Sequence, residues 1–335
     1  MKKRYYLGID LAKASFEFCL LRGNRSCLWR GKFNNEPTQI ERFLEQLSAR
    51  VQYKLLSVHF AMEATGVYGK RLVAALHQRQ LTVSVLNPAQ VKFFALSVLR
   101  RTKNDRVDAG VVARFCLERK PLATRPLRWV EEQLKVLVRE RESRNNELVR
   151  EQNRLKKDPY QIALPQLIAC QRRNRLAQLQ HQLAQLDAAI NSLINSDQIF
   201  KAHSQLLCSI PGIAQLTAAK LLSELAGKEF GSARQLAAYV GLTPSQYLSG
   251  GSLYGKTRLC KIGNAFLRKA LFMPAAVARR WCKPLRRWAL ILETRKLRAL
   301  AIRAAIMRKL LHIAFGVLKH QQPFNPDLVF IPKTP

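Results

Sequence analysis

Acidic residues are scarce in this sequence. Its 335 residues include 22 Asp and Glu against 57 Lys and Arg, which gives a formal net charge of +35. A compact chain with that charge repels itself unless a polyanion neutralises it. The composition therefore predicts a nucleic acid as the partner.

Long apolar runs are also missing. Crossing a bilayer takes about 20 consecutive apolar residues, and the richest stretch, 297–318, is interrupted by four basic residues. The basic start of the sequence meets Asp10 too soon for a signal peptide. We therefore expect no membrane partner and a cytoplasmic location, associated with the nucleoid.

Cysteine and histidine are few and scattered. The 7 cysteines include no C-x-x-C pair, and the 6 histidines form no cluster in the sequence. This spacing argues against disulfides and against structural zinc, and it is typical of reduced thiols in a cytosol.

Residues 1–125 have the alternating pattern of a mixed α/β domain. The predicted order is β-β-β-α-β-α-β-α, and the first three strands are expected to pair antiparallel because short turns join them. The predicted strands are 5–10, 15–21, 26–33, 55–62 and 81–86, and prolines at 121 and 126 close the domain.

The middle region, 126–200, is predicted to be helical. Leucine and isoleucine recur in steps of three and four from Leu176 to Leu193, an a/d seam of nearly three heptads. Two helices packing on their own domain and a dimerising coiled coil both fit this pattern. The coiled coil is favoured because the seam is too apolar to leave in water, so we expect at least a dimer.

The last region, 201–335, is predicted to be mainly helical and strongly basic. Residues 231–335 contain 19 Lys and Arg but only Glu293 and Asp327 as acids, and the basic residues alternate with Ala and Leu. This is typical of helices with one apolar face and one face for phosphates. The segment "SIPGIAQLTAAKLLSELAG" predicts a helix-hairpin-helix whose turn at Pro211-Gly212 precedes a phosphate-binding helix start, and a purely structural turn fits equally well.

A glycine-rich segment follows, "TPSQYLSGGSLYGKTRLCKIGN", with three cations and no acid. Backbone amides and cations in such a loop can surround a phosphate. Its candidate nucleophiles, each of which can also be an ordinary loop serine, are Ser245, Ser249 and Ser252. The positions expected to contact nucleic acid across the whole chain are Lys103, Arg106, Gly212, Lys256, Arg258, Lys261, Arg268 and Lys269.

Four of the scarce acids form a pattern of their own. Asp105 and Asp108 stand close together in "RTKNDRVDA", where they also suit the start of a helix. Asp10 ends the first predicted strand and Glu63 ends the fourth. If those strands are neighbours, all four carboxylates meet at one edge of the sheet.

Carboxylates gathered in this way need cations. Asp and Glu ligands without His or Cys select Mg²⁺ or Mn²⁺. Two such ions about 4 Å apart clamp a phosphodiester and stabilise both its attacking and its leaving oxygen. The sequence therefore predicts a two-metal phosphoryl-transfer site inside a cationic chain.

Several blocks of the sequence resemble the DEDD transposases, the insertion-sequence family that includes the Piv-type DNA invertases and the bridge-RNA-guided recombinases. The blocks are "GIDLAK" (8–13), "MEATGVYG" (62–69), "LNPAQVKFFA" (86–95), "TKNDRVDA" (102–109), "SIPGIAQLTAAKLL" (209–222) and "AAYVGLTPSQYLSGGSLYGKTRLCKIGN" (237–264). They follow the family's order over most of the chain.

The resemblance implies an RNase H-like (RuvC-like) domain with Asp10, Glu63, Asp105 and Asp108 as the metal-binding tetrad. It also implies a coiled-coil middle and a C-terminal transposase domain whose catalytic serine is Ser249. The implied partners are donor and target DNA, a structured noncoding guide RNA and further copies of the chain, in a dimer of dimers. The implied activity is transposition or recombination of DNA.

Three other classes stay open. A RuvC-like junction nuclease would use the four carboxylates with water as the nucleophile and would not need Ser249. The strand-ending "GID" also opens actin-like and sugar-kinase ATPases, but Leu11-Ala12-Lys13 stand where those need a glycine-rich loop. A non-enzymatic nucleic-acid-binding protein would explain the charge but not the four acids.

Overall fold

The computed structural model describes residues 5–64, 66–98, 105–245, 248–249, 253–254 and 258–329, without the side chains of 105–107, 248–249 and 253–254. The chain divides into an N-terminal unit, Met1–Pro126, and a C-terminal unit, Leu127–Pro335. None of the described helices is long and apolar enough to cross a membrane.

The N-terminal unit is a mixed α/β structure, as predicted. Its strands are β1 (Tyr5–Leu11), β2 (Ser15–Arg22), β3 (Cys27–Asn34), β4 (Val58–Glu63) and β5 (Thr82–Leu86). Its helices are α1 (Pro37–Arg50), α2 (Lys70–Gln78), α3 (Pro88–Ser97) and α4 (Asp105–Arg119).

These strands form one sheet in the order β3-β2-β1-β4-β5. The first three pair antiparallel, whereas β4 is parallel to both β1 and β5. The first and fourth strands are therefore neighbours, as the carboxylate hypothesis requires. The topology is compatible with the RNase H-like domain that the resemblance implies.

Helix α4 packs directly on the sheet at Gly8. A Cβ atom built on Gly8 would lie 2.1 Å from the backbone nitrogen of Ala113 and 2.3 Å from the carbonyl oxygen of Ala109. Only a residue without a side chain lets the helix backbone come this close to the strand. Gly8 thus fixes the height of α4 above the sheet.

Replacing Gly8 with alanine is expected to destabilise the N-terminal unit by about 3 kcal/mol, because backbone atoms of α4 cannot yield as a side chain would. Gly110→Ala is the matched control in the same contact region, since its new Cβ would meet nothing closer than the Arg30 guanidinium at 3.7 Å. We expect it to leave stability equal or higher, because alanine favours a helix interior. Hydrogen exchange of the β1 and α4 amides measures both, and equal protection in the two variants would contradict the packing argument.

The C-terminal unit is mainly helical. Its long helices are α5 (Trp129–Leu155), α6 (Gln166–Ser196), α10 (Ala265–Trp281) and α12 (Ala299–His320), and its shorter ones are α7 (Gln198–Cys208), α8 (Gln215–Leu225), α9 (Ala233–Val240) and α11 (Lys283–Thr294). Between α9 and α10 the described residues include four two-residue strands: β6 (Pro244–Ser245), β7 (Leu248–Ser249), β8 (Leu253–Tyr254) and β9 (Arg258–Leu259).

Helices α5 and α6 form an antiparallel hairpin. Arg128 near the start of α5 pairs with Asp197 at 2.7 Å, just beyond the end of α6, whereas Arg141 further along α5 pairs with Asp187 at 2.9 Å, earlier in α6. The predicted seam lies inside this arrangement, since Leu183 is 7% exposed and Ile190 2% exposed in the single chain. Leu183 and Ile190 are therefore covered within the chain, whereas Leu176, Leu186 and Leu193 are only partly buried, and the expected dimer stays a prediction. A dimerising coiled coil is not confirmed.

The hairpin and the basic helices share one hydrophobic core. Leu134, Val138 and Ile190 of the hairpin belong to the same cluster of buried residues as Leu271 of α10 and Leu310 of α12. Within the C-terminal unit, the middle region and the basic region are thus joined by packing.

The predicted helix-hairpin-helix corresponds to α7, α8 and the turn between them. Gly212 in this turn has a φ of +96°, and a Cβ there would lie 2.5 Å from the carbonyl oxygen of Pro274 in α10. The position therefore needs glycine for its backbone conformation and for close packing on α10. The identification as a helix-hairpin-helix is not confirmed.

Candidate catalytic site and nucleic-acid surface

The sheet brings carboxylates from two neighbouring strands to one row. Gly8 of β1 is paired with Cys19 of β2 and with Ala61 of β4. Side chains two residues apart on a strand share a face. Asp10 therefore lies on the same face as Gly8, the face that meets α4, one row of paired residues further along the strands. Its partner on β2 is Glu17, and Glu63 occupies the corresponding place on β4, one residue after the paired Met62.

Helix α4 runs antiparallel to β1 above this face. The Cys116 thiol, near the end of the helix, lies 3.8 Å from the carbonyl oxygen of His59, which is level with the start of β1. Ala109 and Ala113 lie over Gly8 in the middle of the strand. Moving back towards the start of α4 therefore leads towards the row of Asp10.

The spacings agree with this direction. From Gly8 to Asp10, β1 advances two residues, or about 7 Å. From the part of α4 that lies over Gly8 back to its first turn, the helix advances three to six residues, or about 5–9 Å. The first turn of α4, with Asp105 and Asp108, consequently lies over the row that contains Asp10 and Glu63. The fold brings the four predicted positions to one edge of the sheet.

Three of these carboxylates are described as side chains. Asp10, Glu63 and Asp108 are each half-buried, whereas the side chain of Asp105 lies outside the described residues. Among the described residues, no three His, Cys, Asp or Glu side chains are grouped closely enough to hold a metal ion. The donor set itself consists of oxygens alone, which suits a hard cation such as Mg²⁺ or Mn²⁺.

Glu17 is a carboxylate that the sequence analysis did not single out. It lies opposite Asp10 in the antiparallel pair of β1 and β2, and opposite Lys32 of β3 on its other side. The signal was present in the sequence, because Glu17 interrupts an otherwise apolar predicted strand directly across a short connection from Asp10. Lys32 gives it a cationic neighbour of its own, as expected of an ordinary cross-strand pair.

The glycine-rich segment begins and ends in a tight crossing of two backbones. The amide of Cys260 donates to the carbonyl of Thr243 at 2.9 Å, and the amide of Asn264 donates to that of Tyr239 at 2.9 Å. Gly241 and Gly263 pass each other here, and a Cβ on Gly263 would lie 2.7 Å from the Gly241 nitrogen. The two ends of the segment are thereby held at a fixed place on the helical core.

A buried carboxylate anchors the end of this segment. Glu224 of α8, 3% exposed, accepts a hydrogen bond from the Asn264 side chain at 2.6 Å and forms an ion pair with Arg139 at 2.5 Å. Asn264 also caps α10 by accepting from the amide of Leu267 at 3.1 Å. The start of α10 and the end of the segment are therefore fixed together.

Ser249 lies within this segment, in β7, where it pairs with Leu253 of β8. Its side chain is outside the described part of the chain. Ser245 of β6 pairs with Arg258 of β9 and is exposed. Ser252 falls outside the described residues. The role of Ser249 thus stays a prediction.

The structure gives the predicted nucleic-acid contacts different surroundings. Arg258 and Lys261 are exposed. Arg268 instead donates to the carbonyl of Val240 at 2.8 Å, at the end of α9. Gly212 packs on α10, as described above. Lys103 and Lys256 fall outside the described residues, as does the side chain of Arg106.

Lys269 takes part in an ion pair inside the unit. It lies 2.6 Å from Glu142 of the hairpin, and Lys220 of α8 lies 2.7 Å from the other oxygen of the same carboxylate. Burial raises the pKa of Glu142, but the hydrogen bonds from Lys220 and Lys269 outweigh it, so the pKa lies below its ordinary value. Lys269 therefore has a structural role besides any contact with nucleic acid.

Comparisons with known proteins match residues of both units to transposases. Residues 7–158 match the model of the IS110 DEDD transposases, described as a transposase, and residues 204–289 match the model described as transposase of the IS116/IS110/IS902 family. The chain is 32% identical over 327 residues to the pilin gene-inverting protein of Moraxella lacunata, covering 96% of this chain and 97% of the relative.

Two further relatives extend the comparison. The pilin gene-inverting protein of Moraxella bovis is 32% identical over 325 residues, which cover 96% of this chain and 97% of the relative. The transposase for insertion sequence element IS1328 of Yersinia enterocolitica is 27% identical over 296 residues, covering 81% of this chain and 83% of the relative.

Proposed function

Because this chain belongs to the IS116/IS110/IS902 family of transposases and is a DNA-recombining enzyme, we propose that it cleaves and exchanges DNA strands at a metal-binding carboxylate tetrad, with Ser249 as the nucleophile. The observation that carries the proposal is the placement of Asp10 and Glu63 in one row beneath the first turn of α4. The family suggests that a divalent metal is used.

The tetrad that would hold the metal is Asp10, Glu63, Asp105 and Asp108. Carboxylates at one sheet edge repel one another, and a divalent ion is what draws their oxygens together. Two bound Mg²⁺ or Mn²⁺ ions would polarise the scissile phosphate. The residues' own task is to hold those oxygens in place, which the strand register and the Gly8 contact support.

The serine step conserves the energy of the broken bond. The Ser249 hydroxyl oxygen attacks the phosphorus, its proton leaves to solvent or a base, and the DNA oxygen departs as a hydroxyl group after taking up a proton. The product is a phosphoserine ester. A free DNA hydroxyl then attacks that ester, releases Ser249 and reseals a strand, so no ATP is required.

The substrates are proposed to be a donor and a target DNA. The names of the Moraxella relatives refer to gene inversion and that of the Yersinia relative to transposition, so both outcomes are proposed as products of one chemistry. A structured guide RNA and a homo-oligomer are also part of the proposal. The charge of +35 supports a polyanion partner, the guide RNA rests on the family resemblance, and exchange between two DNAs needs more than one active site.

The test is a recombination assay on purified full-length protein with the RNA that copurifies with it. Sequencing of that RNA and of the product junctions shows whether new DNA joints form and which RNA accompanies them. We expect joints only with divalent metal present, and a new target when the RNA loops are exchanged. Nicked DNA without joints would favour the water-using nuclease, and an unchanged target after RNA exchange would favour direct readout by the protein.

A further inference from the structure

Two cysteines of the N-terminal unit lie in contact with each other. Cys19 of β2 and Cys27 of β3 have their sulfurs 3.8 Å apart, and both thiols are free. They are not direct cross-strand partners, since Arg30 is opposite Cys19 and Leu21 is opposite Cys27. The register of β2 and β3 shifts between Leu20 and Leu21, and an irregularity of this kind redirects the neighbouring side chains. The pairing of the two strands therefore brings the thiols together.

The two thiols differ in their access to solvent. Cys27 is exposed on the edge strand β3, whereas Cys19 is fully buried, and burial raises the pKa of the Cys19 thiol. The Nε of Arg30 donates to the Cys27 sulfur at 3.1 Å. A cation stabilises a neighbouring thiolate, which is the nucleophilic form of cysteine. An accessible sulfur beside a cation, with a second thiol in contact with it, is the arrangement of an oxidisable dithiol.

Exposure of a cysteine is not enough to make such a site. Cys170 of α6 and Cys208 of α7 are exposed as well, but neither helix contains a second cysteine. The Cys170 sulfur accepts instead from the side-chain amide of Asn174 at 3.7 Å. These two thiols are therefore comparisons, within the same chain, for the reactivity of the pair.

We propose that Cys19 and Cys27 are a modification site at which a peroxide converts two thiols into a reversible disulfide between β2 and β3. The Cys27 thiolate attacks one oxygen of hydrogen peroxide and becomes a sulfenic acid, while the O–O bond breaks and hydroxide leaves with the proton that Cys27 released. The Cys19 thiol then attacks the Cys27 sulfur, the S–O bond breaks, and the departing hydroxide takes the Cys19 proton. Two thiols and one peroxide thus give one disulfide and two water molecules, as two electrons pass from sulfur to oxygen.

The disulfide is expected to act on the helix that carries Asp105 and Asp108. Cys19 is buried in one small cluster with Ala109 and Ala113 of α4. A disulfide bond is about 2.0 Å long, so the two sulfurs must approach each other by roughly 1.8 Å. Any part of this movement made by Cys19 withdraws its sulfur from the alanines, and contacts in a close-packed interior are lost when a gap opens. Oxidation should therefore loosen α4 on the sheet.

The first test locates the disulfide in the full-length chain. Reduced protein is treated with hydrogen peroxide, its remaining thiols are alkylated, and its tryptic peptides are mapped by mass. Cys19 and Cys27 fall on separate peptides, 14–22 and 26–30, so a linked pair appears only if the disulfide forms. We expect that pair in a chain that runs as a monomer on a non-reducing gel, and dithiothreitol should reverse it. The exposed cysteines of α6 and α7 should remain open to alkylation.

Variants assign the role of each residue. Cys27→Ser should lose the linked pair completely and leave the buried Cys19 unmodified. Cys19→Ala should stop at the sulfenic acid of Cys27, which a 1,3-dione traps. Arg30→Gln should slow disulfide formation several-fold, and Arg30→Lys should recover part of the rate, which a folding defect would not. Cys170→Ser is the matched control and should form the linked pair as the wild type does.

The second test measures α4 by hydrogen exchange in the reduced and the oxidised protein. The amides around Ala109 and Ala113 should exchange at least several-fold faster after oxidation, and peroxide should not change them in Cys27→Ser. Mn²⁺ binding, whose interpretation rests on the proposed function, should weaken on oxidation of the wild type. Failure of the reduced protein to bind Mn²⁺ would count against the tetrad and leave the dithiol unaffected.

Two results would overturn the modification site. One is a chain that peroxide joins to a second chain through Cys27, and the other is Cys27 oxidised to a sulfinic acid with Cys19 still a free thiol. A linked pair with unchanged hydrogen exchange in α4 would overturn the effect on the helix.

Discussion

Asp10→Asn is expected to reduce strand cleavage about a thousandfold or more, while binding of nucleic acid changes little. The substitution keeps the size of the side chain but removes one negative oxygen from the proposed metal site, and loss of one essential group in a catalytic set has effects of this scale. Glu63→Gln, Asp105→Asn and Asp108→Asn are expected to behave alike, because each removes one ligand. Gel assays of cleavage and anisotropy of binding measure the two effects separately.

Glu118→Gln is the matched control for this series. Glu118 lies on α4 with Asp108, but at the other end of the helix, where it pairs with Arg114 at 2.8 Å and Arg25 at 3.3 Å. Loss of surface pairs such as these costs about 1 kcal/mol or less, so cleavage should persist. If two of the four tetrad variants cleave at the wild-type rate, the metal-site account is wrong.

Glu17→Gln separates a tetrad from a larger site. Glu17 shares the row of Asp10 but has Lys32 as its other neighbour. If the metal site consists of the four carboxylates alone, we expect Glu17→Gln to cleave DNA far faster than Asp10→Asn does. Equal loss in both would assign Glu17 to the metal site as a fifth carboxylate.

The second large effect is expected at Ser249. Ser249→Ala should abolish both the covalent protein–DNA adduct and strand exchange, because no other group then preserves the phosphodiester energy. Trapping the reaction in denaturant and mapping the adduct by peptide mass measures this directly. The tetrad variants should lose the same adduct, since both sets of residues act on one phosphate.

Two neighbouring serines provide the controls for this experiment. Ser245→Ala and Ser252→Ala change the same glycine-rich segment, and both should keep a substantial part of the adduct and of the exchanged product. Normal yields of free nicked DNA from Ser249→Ala would show that water is the nucleophile. The nuclease alternative would then replace the recombinase.

The sequence predicted the N-terminal unit well because its signals are local. Short apolar runs bounded by turns mark strands, and the order of the elements leaves few arrangements of the sheet. The neighbouring positions of β1 and β4 were only a condition of the carboxylate hypothesis, and the structure supplies them. The contact of Gly8 with α4 did not, since close approach of two backbones depends on tertiary packing that no local pattern records.

The middle region shows where periodicity is insufficient. An a/d seam indicates that a helix buries one face, but not which chain covers it. Here Leu183 and Ile190 are covered within a single chain. A similar limit applies to Arg268 and Lys269, which composition alone assigns to nucleic acid. In the structure, Arg268 donates a hydrogen bond to the carbonyl of Val240, and Lys269 forms an ion pair with Glu142.

Binding of Mn²⁺ to the full-length protein, followed by electron paramagnetic resonance, tests the central claim most directly because it does not depend on turnover. The account predicts that wild-type protein binds Mn²⁺, that Mg²⁺ displaces it, and that Asp10→Asn and Asp108→Asn each weaken binding at least tenfold, whereas Glu118→Gln does not. Undiminished Mn²⁺ binding in both tetrad variants would contradict a metal site built by the end of β1 and the start of α4.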